Sequence, residues 1–175
     1  MSENWREDLT VMDNVITESG MEFVAENTFY IEKSELYLGL GEGVKSVEFI
    51  RIKERKLLFV EAKTTFPNPN NPGVENLARY HAEIDDIREK FIHSLNLLSS
   101  IEVGVAQSEF DSDFALPMKA TLVFYLVIGN HKTEWCKDVE KTLMAAFPAY
   151  IMKIWKPVIY VINREIAIKR ELVVA

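Results

Sequence analysis

The chain has 175 residues, 48% of them hydrophobic and 27% charged, with only 7 Gly and 6 Pro, which suits one domain with a buried core and excludes disordered or collagen-like classes. Its 20 Lys and Arg against 27 Asp and Glu leave a formal charge of −7, the wrong sign for a protein that coats nucleic acid by counterion release, so any nucleic-acid site has to be local. One cysteine, Cys136, rules out an internal disulfide and multi-cysteine metal sites, and no apolar run approaches the ~20 residues of a membrane span, so the expectation is a cytoplasmic protein without a membrane partner.

Trp5, Leu9, Met12, Val15 and Ile16 recur at helical spacing up to Gly20 and predict a first helix. Residues 28–40 read as extended but irregular. Residues 44–52 and 57–65, both rich in Val, Ile and Phe, predict a hairpin turning at Glu54-Arg55. The Pro/Asn segment 66–73 is too short to separate two cores, so the whole of 1–175 reads as one domain. Asn71 as cap and Pro72 at the first position open a long helix whose inward face is Val74, Leu77, His81, Ile84, Ile87, Phe91, Leu95 and Leu98. Residues 120–128 are a continuous apolar run, as in a strand covered on both faces, and Gly129-Asn130 ends it. Residues 133–147 predict a helix with Trp135, Val139, Leu143, Ala146 and Phe147 inward. Residues 158–162 and 166–174 predict two strands joined across 163–165. The order favours an α/β fold, a mixed central sheet flanked by helices.

Strand alternation places Leu57, Phe59, Glu61 and Lys63 on one face. A turn at Glu54-Arg55 sets Ile52 opposite Leu57, Ile50 opposite Phe59 and Glu48 opposite Glu61, with Val47 and Phe49 on the far face. Two opposed carboxylates need a cation. Lys63 is one candidate and a divalent ion held by hard oxygen ligands is the other.

The segment KSVEFIRIKERKLLFVEAKTT resembles the PD-(D/E)XK nuclease superfamily, the restriction-endonuclease-like fold, in which an acid on one strand is followed across a hairpin by (D/E)-x-K within an αβββαβ core. The resemblance covers residues 44–100, with residues 120–128 continuing it in architecture alone. It implies that Glu48 and Glu61 bind Mg²⁺ or Mn²⁺, that Lys63 is the catalytic lysine steadying the attacking group, and that the reaction is phosphodiester hydrolysis on nucleic acid. By analogy it also implies a homodimer, and a third acidic ligand for which Glu18 and Glu22 are candidates. The sequence departs from the family where Val47-Glu48 stands for the usual Asp preceded by Pro or a small residue, and where Asn76 stands for Gln in a Gln-x-x-x-Tyr motif ending at Tyr80.

The bland alternative is a structural Glu61–Lys63 pair in a non-catalytic module acting through protein contacts. A second Glu-x-Lys, Glu54-Arg55-Lys56, falls in the turn, so the tripeptide alone carries little. Residues 39–46 fail the phosphate-loop pattern because Val44 separates Gly43 from Lys45. His81 reads as a core or half-buried residue, and Cys136 as buried. Charge is uneven: residues 1–113 hold 22 acids and 11 bases, residues 114–175 hold 5 acids and 9 bases. Lys153, Lys156, Arg164, Lys169 and Arg170 are therefore candidates for a basic flank.

Overall fold

Strand β5 (Lys56–Lys63) is the middle of a five-stranded sheet in which β3 (Thr28–Phe29), β4 (Phe49–Lys53), β5, β6 (Thr121–Ile128) and β7 (Val158–Asn163) lie side by side in chain order. The computed structural model describes residues 15–107, Phe110 and 114–175. β3, β4 and β5 pair antiparallel, whereas β5, β6 and β7 run parallel. Parallel neighbours need a crossover. Helix α2 (Val74–Glu102) supplies the first and α3 (Thr133–Ala146) the second, giving a mixed sheet flanked by helices.

The β4–β5 hairpin has the expected register, Ile52 opposite Leu57 and Ile50 opposite Phe59, with Glu54 taking a positive φ of 57° in the turn. β6 is apolar throughout because both its faces are covered. Phe124, Leu126 and Ile128 join Phe59, Phe91, Leu95, Val139 and Leu143 beneath α2 and α3. Val123 and Val127 join Leu58, Val60, Met21, Phe23 and Ala167 on the other face. Phe91 stacks on Phe124 with ring centroids 4.7 Å apart, tying α2 to β6. β7 is an edge strand, and Oε2 of Glu140 on α3 accepts a hydrogen bond from its Val161 N–H at 2.9 Å.

Several expectations are corrected. Val15 and Ile16 belong not to a helix but to β1 (Val15–Glu18), which pairs with β2 (Met21–Val24). Ser19 and Gly20, at φ 50° and 73°, make the tight turn that matches strand twist, and the chain reverses there. The rest of that predicted helix lies outside the described residues. Between β3 and β4 the chain forms a 3₁₀ turn (Ile31–Lys33) and a short helix α1 (Glu35–Leu38) capped by Ser34. Asn71 does not cap α2: its N–H closes a turn onto Asn68, and Gly73 at φ 124° starts the helix at Val74. Only glycine adopts that conformation without strain. His81 is exposed, as are Val74 and Leu77, because the first turns of α2 overrun the sheet and the buried stripe begins at Tyr80. The expected C-terminal strand hairpin is absent. Residues 164–169 form α4 (Arg164–Lys169) instead, begun by the Asn163 side chain, which accepts from the Ile166 N–H. Its β-branched residues suggested a strand, but an Asn cap followed by Arg-Glu is a helix start, and Ala167 then packs on the sheet. Among the described residues no helix is long and apolar enough to cross a membrane.

Candidate functional site: a buried carboxylate cluster

Four segments converge at the carboxyl end of β5. The β1–β2 turn is anchored there by two hydrogen bonds, from Ser19 Oγ to the Ala62 carbonyl at 3.1 Å and from Thr64 Oγ1 to the Ser19 carbonyl at 3.3 Å. These place Glu18, the last residue of β1, beside the strand end. The 3₁₀ turn brings Glu32, whose N–H points to the Glu48 carbonyl at 3.4 Å. The lead into β4 is fixed on α2 by a hydrogen bond from the Lys45 N–H to Nδ1 of His93 and another from the Val47 N–H to Oγ of Ser94, both at 2.9 Å. Lys45 Nζ adds ion pairs with Glu89 at 2.6 Å and Asp86 at 3.0 Å.

This clamp changes the geometry that alternation predicts. Val47 packs in the core beneath α2, away from the face of Phe49. Glu48 lies one residue beyond the last ladder pair, Phe49 with Val60, and its N–H bonds the Val60 carbonyl at 3.1 Å. Its carboxylate gathers with those of Glu18 and Glu32, one oxygen from each lying within 4.8 Å of the others. Of the two proposed third ligands, Glu18 joins this cluster, from a strand, and Glu22 is exposed.

Glu61 is fully buried on β5, and its Oε1 accepts from Nζ of Lys90 on α2 at 2.6 Å. Lys63 is farther, 4.0 Å from the same oxygen and 3.4 Å from Glu83. Among the described residues, Glu48 Oε2 and Glu61 Oε2 are buried without a hydrogen-bond partner. A buried carboxylate oxygen left unpaired is costly, so the protein stores unsatisfied acceptor capacity at this point.

Electrostatics follow from burial. Desolvation, then the Glu32 carboxyl and the Glu61 charge, push Glu48 up to about 9. Desolvation raises Glu61 to about 7 against the opposing pull of Lys90 and Lys63. Burial and the nearby Glu32 raise Glu18. Lys90 is drawn down by burial but held above the ordinary lysine value by Glu61. Without an added cation Glu48 therefore keeps its proton at neutral pH. With one, the three clustered carboxylates are hard oxygen donors of the kind Mg²⁺ and Mn²⁺ accept, and the orphaned oxygen of Glu48 adds acceptor capacity within the cluster. The donor set fits a divalent ion.

Sequence reasoning missed Glu32 and Lys90. Lys90 was detectable, since it lies three residues after Ile87 and one before Phe91, at the border of the buried stripe. Glu32, in an irregular segment, left no periodic signal. The Asn76 and Tyr80 pair serves packing: Asn76 Nδ2 donates to the Asn68 carbonyl and holds the Pro/Asn loop, and the Tyr80 hydroxyl bonds Oγ1 of Thr142 on α3 at 2.9 Å. Cys136 is buried, and desolvation raises its thiol to about 11, which leaves it inert as a nucleophile. Comparison of the chain with protein-family models, with curated proteins and with solved structures gave no match.

Proposed function

We propose that this protein is a divalent-metal-dependent phosphodiesterase acting on nucleic acid, a divergent relative of the PD-(D/E)XK nucleases. The observation that carries the reading is the meeting, at one strand end, of a carboxylate cluster with the Glu61-x-Lys63 pair of β5. The chain order supports it: apart from the 3₁₀ turn and α1 between β3 and β4, the run β3, β4, β5, α2, β6 has the βββαβ order that the resemblance implies.

Glu18, Glu32 and Glu48 would hold the ion, with the free oxygen of Glu61 on its flank. Mg²⁺ or Mn²⁺ there supplies Lewis acidity and countercharge to a phosphodiester. Lys63, about a quarter exposed, is the cation able to meet an incoming phosphate and steady the charge that grows on it. Lys90 is more enclosed and acts on Glu61, holding its carboxylate in place and favouring the ionised form.

The test is cleavage of single- and double-stranded DNA and RNA with Mg²⁺ or Mn²⁺. Activity that disappears in EDTA, in Glu48→Gln and in Lys63→Ala is the expected result. Equal, undetectable turnover of the wild type and Lys63→Ala on every substrate overturns the reading.

One observation favours a second reading. The 2.6 Å contact of Lys90 with Glu61 already provides a cation where the family resemblance asks for a metal ligand. In a non-catalytic module acting through protein contacts, that pair would be the structural remnant of the site. Calorimetric titration with Mn²⁺ separates the two, since the module gives no heat that depends on Glu18, Glu32 and Glu48.

A further inference from the structure

On the opposite face of the sheet, toward the other end of β5, lies a cavity of about 430 Å³. That volume is in the range of small-molecule sites. Its floor is a patch of sheet, Leu58, Val123 and Val158 on three adjacent strands. Next along β6 and β7 come Tyr125 and Tyr160, stacked side by side at 5.3 Å. Arg170, just past α4, lays its guanidinium over Tyr160 at 4.3 Å and donates from NH1 to the Tyr125 hydroxyl at 3.1 Å. The rim carries Lys53, Lys56 and Lys169 together with Glu54 and Glu171.

The arrangement is held in place by the backbone. Lys53 Nζ donates to the Arg170 carbonyl at 3.2 Å, and Arg51 donates to the Glu171 carbonyl at 3.0 Å, so the segment bearing Arg170 is pinned to β4. Lys53 also pairs with Glu171 at 2.9 Å, and Lys169 with the exposed Glu165 at 2.7 Å. Among the described residues neither Lys56 nor Arg170 has a carboxylate partner.

We propose that this cavity binds an aromatic phosphate that also carries hydrogen-bond donors, that is, a nucleoside monophosphate unit. The exposed Val158 side chain and the partly exposed Tyr160 ring, with the Arg170 guanidinium over it, offer a planar ring apolar and cationic surface to lie against. Lys56 and Lys169, with the guanidinium N–H groups that Tyr125 leaves free, match a doubly charged anion. Glu54 and Glu171 match donors, such as sugar hydroxyls or a base amino group, and act against a plain anion. The site is separate from the carboxylate cluster, so it stands whether or not that cluster is catalytic. A free mononucleotide and the 5′-phosphorylated end of a strand share this chemistry.

The test is equilibrium dialysis of the full chain in EDTA with adenosine 5′-monophosphate, adenosine, inorganic phosphate and a 5′-phosphorylated dinucleotide. Saturable binding of the monophosphate is expected, at least about tenfold tighter than adenosine or phosphate alone. Arg170→Ala and the exposed Lys56→Glu are each expected to weaken it by at least about tenfold. Tighter binding of the dinucleotide assigns the site to strand ends, and tighter binding of the monophosphate to the free nucleotide. No saturation up to about 10 mM, affinity unchanged in Lys56→Glu, or phosphate binding as tightly as the monophosphate overturns the proposal.

Discussion

Lys90 reaches from the middle of α2 to within 2.6 Å of Oε1 of Glu61, whose side chain on the central strand is 1% exposed. The contact joins the crossover helix to the sheet by charge, beside the more exposed Lys63–Glu83 pair. It also makes each partner depend on the other, because a buried charge without its counter-ion is far costlier than the pair.

Lys90→Met is therefore expected to destabilise the protein by about 3 kcal/mol at pH 8, where Glu61 would otherwise be ionised. Urea denaturation checks the loss. The double variant Lys90→Met with Glu61→Leu is expected to recover most of it, since the orphaned charge is then gone.

Metal-free protein should lose stability as pH rises. Glu48 and Glu61 are raised from 4.5 to about 9 and about 7, so between the unfolded and folded values the folded state binds more protons than the unfolded one. Unfolding free energy then falls with increasing pH across that window. In EDTA the urea midpoint is expected to be higher at about pH 5.5 than at about pH 8.5. Glu48→Gln should remove most of the difference, and Mg²⁺ should flatten it by favouring the ionised carboxylates.

Phe124→Ala is expected to cost about 3–5 kcal/mol, because it empties the space between Phe59, Phe91 and Phe147 at the heart of the sheet. A lowered melting temperature with an unchanged far-ultraviolet spectrum below the transition is the expected signature.

Asn163→Ala should cost about 1–2 kcal/mol. The side chain accepts the Ile166 N–H at the start of α4 and donates to the His131 carbonyl at 3.1 Å. Amide exchange at the start of α4 should quicken more than exchange in β6.

The parts of this fold that could be read from sequence are those governed by local periodicity. The β4–β5 register followed from one turn and alternation, α2 and α3 from their apolar stripes, and β6 from a run too apolar for a half-exposed strand. What could not be read depended on distant partners. Ile166 and Ile168 suggested a strand until the Asn163 cap decided otherwise, and Val15 with Ile16 joined a hairpin fixed by two positive φ angles. At the site, Glu48, Glu61 and Lys63 do come to one strand end, but alternation missed the clamp of residues 45–47 onto α2. That clamp directs Glu48 toward Glu18 and Glu32, leaving Glu61 to Lys90. Glu18 and Glu32 arrive from other elements and leave no mark on spacing along the chain, whereas Lys90 shows only as a charged residue at the border of the α2 stripe.

The Glu140 side chain bears on how far the sheet can grow. Val161 on the edge strand has an N–H that a strand from another molecule would need as its first handhold, and α3 already occupies it. An approaching strand must displace a carboxylate and accept its charge at the seam, so joining sheet to sheet is blocked where the edge is otherwise open. Two copies meeting through β7 would first have to unfasten Glu140, which favours any pairing that uses another surface.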